Sequence, residues 1–266
     1  VRRKSRRETG EGAAVFALTM VLLALLAVAA RTGATLPDLR GGGRLVAYTP
    51  RGYDPQIGRA PGPASLRADA DELHRRAFRA ITTFSATRAL MPVCRVFKRR
   101  GFRTVLVGVR NPLDRAELRA AEKQRRCADA YVVGDGGLDA GRYTLADLTR
   151  AVRRLRGTGR PVAVREAVAS YDDPALLTLG DWLFPIANPY RAGETHPAGA
   201  CGFSAKAFLA FTARAPAGVP VVLAETAFPT AGYQGANENY QRAFLLCIET
   251  RRVWFEYFEA FDQPWR

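Results

Sequence analysis

The chain has 266 residues, of which 48% are hydrophobic, and its formal net charge is +15. This length fits one large core, such as an α/β barrel of about 250 residues, and requires no second domain. The positive charge alone would suggest nucleic acid, but the cations are scattered over predicted helix exteriors and accompany no nucleic-acid motif. We therefore expect a solvated basic surface and no nucleic-acid partner, and leave open a loose attraction to anionic lipid headgroups or acidic wall polymers.

The first predicted element is a membrane-spanning helix. The segment Gly12–Ala30 contains no charged residue, and its length of about 28 Å matches the hydrocarbon core of a bilayer. Five cations within residues 2–7 precede it, which by the positive-inside rule leaves residues 1–11 in the cytoplasm. A cleaved signal peptide ending near Ala27-Val28-Ala29 is the alternative, but the length favours an uncleaved anchor. We expect a single-pass protein of the cell membrane with an extracytoplasmic domain.

Residues 31–43 are rich in Gly, Thr and Pro and predict a flexible linker, after which 44–266 form the main domain. Short apolar or β-branched runs recur there, separated by longer amphipathic stretches, as in repeated β-α units. Eight strands are predicted: Leu45–Tyr48, Ala80–Phe84, Thr104–Val109, Ala130–Val133, Pro161–Val164, Trp182–Pro185, Pro220–Ala224 and Val253–Phe258. Seven helices are predicted: Ser65–Arg76, Leu90–Arg100, Asp114–Arg126, Thr144–Arg156, Pro174–Leu179, Ser204–Arg214 and Asn237–Thr250.

This order predicts an α/β fold of the (β/α)8 TIM-barrel class with no helix after the last strand. Either the sequence is truncated, or the outer face of the last strand is covered in another way. A doubly wound sheet is the rival, but it would carry a Gly-rich phosphate loop where Tyr48-Thr49-Pro50-Arg51 stands. Thr144 and Asp147 predict a capping box, and Gly101 predicts the end of a helix.

The four cysteines, Cys94, Cys127, Cys201 and Cys247, lie far apart and form neither a C-x-x-C nor a Cys/His cluster. We therefore expect no metal and no cofactor. An exported domain permits disulfides, but the sequence does not choose among three pairings, and we expect buried free thiols.

The ends of the predicted strands are rich in carboxylates and aromatic side chains, which suit the hydroxyls and flat faces of sugars. A barrel enzyme builds its active site there. The candidates for this site are Tyr48, Asp135, Glu166, Asn188, Tyr190, Glu225, Phe228, Glu259, Asp262 and Trp265.

Four segments resemble blocks of glycoside hydrolase family 17, the β-1,3-glucanases. They are VVGDGGL (132–138), FPIANPY (184–190), VVLAETAFPTAG (221–232) and YFEAFDQPWR (257–266), and the resemblance covers roughly residues 44–266. It implies a (β/α)8 barrel that cleaves a β-glucan polysaccharide or oligosaccharide with retention, using two carboxylates about 5 to 5.5 Å apart.

The resemblance also implies residue roles. Glu225 takes the position of the nucleophile, but Gly136 stands where the family has its acid/base glutamate. Asp135 is the candidate substitute for that acid, although neighbouring strand residues point in different directions. Arg191 stands where the family has a tryptophan. The sequence thus predicts either a glycoside hydrolase or transglycosylase slowed by a lost proton donor, or a non-catalytic glucan-binding relative.

Overall fold

The computed structural model describes Pro37 and residues 44–232 and 234–263. The predicted cytoplasmic segment, the membrane helix, nearly all of the linker and Trp265 therefore lie outside the described residues. Within the described part of the chain, no helix is both long enough and apolar enough to cross a bilayer.

Among the described residues, seven parallel strands form one curled sheet. In chain order they are β1 (Arg44–Tyr48), β2 (Phe78–Thr83), β3 (Thr104–Val109), β4 (Ala130–Val133), β5 (Val162–Val164), β6 (Leu223–Thr226) and β7 (Phe255–Tyr257). Their order across the sheet is β5-β4-β3-β2-β1-β7-β6. The predicted β-α succession is confirmed, and the architecture is that of a TIM-like α/β fold.

In the part of the chain that the structure describes, seven α-helices connect the strands: α1 (Pro63–Arg75), α2 (Met91–Arg99), α3 (Arg115–Lys123), α4 (Leu145–Arg156), α5 (Pro174–Leu179), α6 (Pro197–Arg214) and α7 (Glu238–Thr250). A short 3-10 helix, Ala169–Asp172, precedes α5. The predicted capping box is confirmed, because the Thr144 hydroxyl accepts from the Asp147 amide while the Asp147 carboxylate accepts from the Thr144 amide. Gly101 follows α2 with φ +84°, in the left-handed region that glycine adopts at helix ends.

The sixth predicted strand, Trp182–Pro185, differs from the prediction. The segment pairs only through isolated parallel bridges. On one side, Leu183 and Ile186 form bridges at or next to β5, and on the other side they form bridges at or next to β6. The segment therefore links the two edge strands of the curled sheet. A proline at position 185 removes one backbone donor, which is why a continuous ladder does not form there.

Alternating residues of the strands divide the core into two layers. One set points to the concave interior of the sheet and includes Leu106, Val132, Ala163 and Phe184. The other set, for example Val107, packs against the helices. This two-residue alternation decides which side chains at the strand ends reach the interior.

Two sequence-based expectations are wrong. Helix α6 begins at Pro197, seven residues before the predicted start at Ser204, because proline fits the first turn and the His196 ring accepts from the Ala198 amide as an N-cap. The expectation of free thiols fails as well.

All four cysteines are paired, as Cys94–Cys127 and Cys201–Cys247. The Cα atoms are 5.9 and 6.1 Å apart, because α2 lies against the end of α3 and α6 packs on α7. Sequence spacing carries no information on these packing contacts, so the pairs could not be predicted from it.

We expect replacement of either pair by serine to lower the free energy of unfolding by about 2 to 4 kcal/mol, because each disulfide restricts the unfolded chain. Urea unfolding of the two double variants measures this loss. Dithiothreitol should destabilise the wild-type protein but not a variant with all four cysteines replaced. A wild-type unfolding midpoint that does not respond to dithiothreitol would contradict the pairing.

Candidate active site

The carboxyl end of the sheet holds a buried arginine. Ala163 of β5 points into the interior, so the side chain two residues later, Arg165, points there as well. Arg165 is fully buried, and its guanidinium lies 4.4 Å from the centre of the Phe84 ring. A charge in this position must be balanced by anions from neighbouring strands.

Three carboxylates provide that balance. Arg165 Nη2 donates to Asp135 Oδ1 over 3.1 Å. Burial alone would lower the pKa of Arg165, but Asp135, Glu225 and Glu256 together raise it above its ordinary value. Side chains from β4, β5, β6 and β7 are therefore coupled electrostatically around one cation.

Asp135 accepts from two arginines at once. Its second oxygen accepts from Arg110 Nε over 2.9 Å, and Arg142 donates to its backbone carbonyl. Both carboxylate oxygens therefore act as acceptors in charge-assisted hydrogen bonds. This arrangement suits a fixed anion rather than a proton donor.

Gly136, next to Asp135, adopts φ +61°, a left-handed conformation that costs other residues about 1 to 2 kcal/mol. Among the described residues, a Cβ atom there would have only Ile186 Cδ1 within 4 Å, at 3.5 Å. The position has space for a side chain, but its backbone conformation favours glycine.

Glu225 lies at the end of β6, with 4% of its surface exposed. Its backbone φ is +52°, which is uncommon outside glycine and is a conformation that tends to occur at functional sites. Its amide donates to Glu256 Oε2 over 3.2 Å, and its own Oε2 lies 3.7 Å from Arg191 Nη1. The Arg191 side chain is 70% exposed, so it lies at the solvent side of Glu225.

Glu256 of β7 is completely buried next to these groups. Burial raises the pKa of Glu256 to about 7, against the opposing effect of Arg165. The side chain therefore changes its charge near neutral pH, directly beneath the backbone of Glu225.

Glu166 occupies the other side of its strand and does not face the interior. Its carboxylate accepts from the Tyr143 hydroxyl and the Leu138 amide, and the same hydroxyl accepts from the amides of Asp135 and Gly137. Burial, together with Glu166, raises the pKa of Tyr143. This network fixes the loop after β4, which carries Asp135 and Gly136.

The aromatic side chains that were predicted to contact a sugar, as far as the structure describes them, lie outside this group of charged residues. Tyr48 is buried on the helix side of the sheet, where its hydroxyl donates to Asp69 over 2.8 Å. Phe228 is buried beneath α7, against the edge of Tyr190, whose hydroxyl donates to the Gln234 carbonyl over 2.7 Å.

Asn188 caps the following turn by accepting from the Arg191 amide over 3.1 Å. Glu259 and Asp262 line a cavity of about 1060 Å³ between α1, α7 and the strands β1 and β7. That cavity does not include Glu225 or Asp135 among its lining residues. Of the predicted site residues, the structure thus brings Glu225 and Asp135 together around Arg165.

Sequence reasoning missed Arg165 and Glu256. The alternation of strand residues could have found both, since Arg165 follows Ala163 by two positions and Glu256 follows Trp254 by two, and Ala163 and Trp254 both belong to the interior cluster. Within the described residues, no group of His, Cys, Asp or Glu is arranged to hold a metal ion.

Comparisons with protein families and with curated proteins find no match. Solved structures do share the fold. A plant β-glucan endohydrolase matches with 13% identity and a TM-score of 0.58, covering 83% of this chain and 92% of that one. The exo-β-1,4-mannosidase Op5Man5 from Opitutaceae bacterium strain TAV5 matches with 14% identity and a TM-score of 0.56, covering 88% of this chain and 55% of that one, so the chain spans about half of that enzyme.

The carboxyl transferase domain of Rhizobium etli pyruvate carboxylase also matches, with 9% identity, a TM-score of 0.51, and coverage of 82% of this chain and 40% of that one. At these identities the likeness establishes a fold that glycoside hydrolases use, and no specific activity.

Glu256 should make stability depend on pH. Because the folded protein raises the pKa from 4.5 to about 7, it binds the proton more tightly than the unfolded chain does. The free energy of unfolding should therefore fall by about 3 kcal/mol between pH 4.5 and 7.5, relative to Glu256→Gln. Denaturant unfolding across this range measures the difference, with the exposed Glu238→Gln as a control that follows the wild type. Parallel profiles for wild type and Glu256→Gln would contradict the assignment.

Proposed function

We propose that this chain is a membrane-anchored, exported glycoside hydrolase or transglycosylase that acts on β-1,3-glucan-like polysaccharide by a retaining double displacement. Glu225 carries the proposal: it is a buried carboxylate at the carboxyl end of β6 that interacts electrostatically with Arg165. The fold shared with a β-glucan endohydrolase and a mannosidase supports the same reaction class. The two disulfides support an oxidising, extracytoplasmic location.

In the proposed reaction, the Glu225 carboxylate forms a bond to the anomeric carbon as the bond to the leaving oxygen breaks. The leaving oxygen departs with the bonding electrons and requires a proton or intrinsic stability as an anion. A water or a sugar hydroxyl then attacks the anomeric carbon and loses its proton to the solvent, while the bond between that carbon and Glu225 breaks and the carboxylate is released. Arg165 and Arg191 lie close enough to Glu225 to interact with its negative charge.

With glucan as substrate, the first step is the slow one in this chain, whereas with an aryl leaving group the second step, which lacks a general base, limits turnover. Gly136 supplies no proton, and both oxygens of Asp135 already accept from arginines. Loss of a general acid reduces turnover by about 10²- to 10⁴-fold for poor leaving groups and much less for aryl groups that leave as stable anions. We infer slow cleavage of glucan and faster cleavage of activated glycosides.

Specific observations favour a second candidate, a non-catalytic glucan-binding protein. The position of the proton donor is a glycine, and Asp135 is fixed in two ion pairs. A protein that only binds sugar needs neither a free acid nor an ionised nucleophile. This candidate predicts glucan binding without any product.

We expect Glu225→Gln to lower turnover of a nitrophenyl β-glucoside by about 10³-fold or more, because the amide cannot form the glycosyl intermediate. Azide should accelerate the wild-type protein and yield a glucosyl azide, since an anionic nucleophile needs no general base. Asp135→Asn serves as the matched control, and aryl turnover in it should fall far less.

Release of nitrophenol and thermal-shift binding of laminarin-type oligosaccharide are measured on the same samples. Binding without turnover, with and without azide, would contradict the hydrolase proposal and favour the binding protein. Equal turnover by Glu225→Gln and wild type would contradict the assigned nucleophile.

A further inference from the structure

The two ends of the parallel sheet differ sharply in charge. Because all strands run in one direction, the connections from helix to strand lie at the end where the strands begin. Five of these connections carry sixteen Lys or Arg residues and one acidic residue, Asp129: 75–79, 98–103, 123–129, 153–161 and 250–254. The remaining two, 180–182 and 215–222, add only Asp181.

The opposite end, which holds the candidate active site, has no such excess. Its connections carry seven cations and ten acidic residues: 49–62, 84–90, 110–114, 134–144, 165–173, 187–196, 227–237 and 258–263. We name the end formed by the first five connections, together with Arg44, the basal face.

Contacts between neighbouring connections show that the basal face is continuous. The Arg103 amide donates to the Arg79 carbonyl over 2.9 Å, and Arg160 Nε donates to the Arg125 carbonyl over 3.1 Å. Arg44, the first residue of β1, pairs with Glu249 near the end of α7 over 2.8 Å. The cations therefore extend over five of the seven connections at this end of the fold and do not follow a single groove.

The acidic residues next to this face are already paired. Glu122 binds Arg154, Asp129 binds Lys98, and Glu249 binds Arg44. Eight exposed cations then form no ion pair with a described residue: Arg99, Arg103, Lys123, Arg125, Arg126, Arg153, Arg251 and Arg252. These groups retain their charge for a partner outside the domain.

Helix dipoles explain only part of the pattern. A helix C-terminus favours one or two cations in its last turn, and Arg75 and Arg153 occupy such positions. Arg103 and Arg160 lie beyond the last helical turn, near the start of the next strand. Arg79 also lies in the next strand, but its side chain donates to the carbonyl of His74 in the last turn of α1. Helix ends therefore do not account for every cation of this face.

We propose that the basal face binds the surface of an anionic lipid bilayer and thereby turns the candidate active site away from the membrane. A cationic area that extends over most of one end of the fold matches a planar array of phosphates better than a single polyanionic strand, which would need a groove. Chain connectivity agrees, because β1 begins at the basal face and residues 31–43 are all that separate it from the predicted membrane segment.

The test mixes the full chain with vesicles of phosphatidylcholine alone or with about one third phosphatidylglycerol. Phenylglyoxal then modifies the accessible arginines, and mass spectrometry measures the rate of modification of each one. Modification of Arg99, Arg103, Arg125 and Arg126 should slow at least about fivefold on the anionic vesicles only, and about 0.5 M salt should abolish the effect. The exposed Arg67, Arg95, Arg115 and Arg242 provide internal controls whose rates should not change. Equal rates on both vesicles would overturn the proposal.

A charge-matched pair of variants tests the face itself. Replacing Arg99, Arg103, Arg125 and Arg126 by glutamine should remove the protection of Arg153, Arg251 and Arg252. Replacing Arg67, Arg95, Arg115 and Arg242 by glutamine should preserve that protection, although it lowers the net charge by the same amount. Stronger protection by a soluble glycerol-phosphate polymer or an RNA oligonucleotide than by anionic vesicles would overturn the choice of a membrane.

Discussion

Arg165 places a positive charge inside the curled sheet, where an unpaired ion would cost several kcal/mol. The fold accommodates it through an ion pair with Asp135 and through the nearby negative charges of Glu225 and Glu256, which raise the pKa of Arg165. Each of these carboxylates would also be costly to bury alone. The charges therefore constrain one another, and the loop after β4 and the ends of β6 and β7 are fixed as one unit.

This constraint also limits the chemistry. Asp135 is held as an acceptor between Arg110 and Arg165, and Gly136 supplies no side chain, so β4 contributes a fixed anion instead of a proton donor. Glu225 keeps a buried carboxylate beside Arg165 and Arg191. The proposed enzyme thus retains the electrostatics of nucleophilic attack and lacks the assistance that a leaving group normally receives. The basal face at the other end of the sheet carries a different function, which we assign to membrane binding.

Periodicity was sufficient to predict most of the fold, because buried parallel strands such as Thr104–Val109 and Ala130–Val133 are continuous apolar runs between helices. The segment 182–185 has the same composition, but its proline limits pairing to isolated bridges. The position of Glu225 at a strand end could be predicted from its motif. The inward orientation of Arg165 and Glu256 can be predicted from strand alternation only once it is known which residues of each strand face the interior. The disulfides depend on helix packing that the sequence does not encode locally.

A crystal structure with a bound laminarin-type oligosaccharide would show directly whether Glu225 meets the sugar. We expect a sugar ring at the carboxyl end of the sheet, with the Glu225 carboxylate beneath its anomeric carbon, Gly136 on the leaving-group side, and Asp135 still paired with Arg110 and Arg165. A sugar bound at another surface, with the carboxylate of Glu225 turned away from it, would rule out Glu225 as the nucleophile.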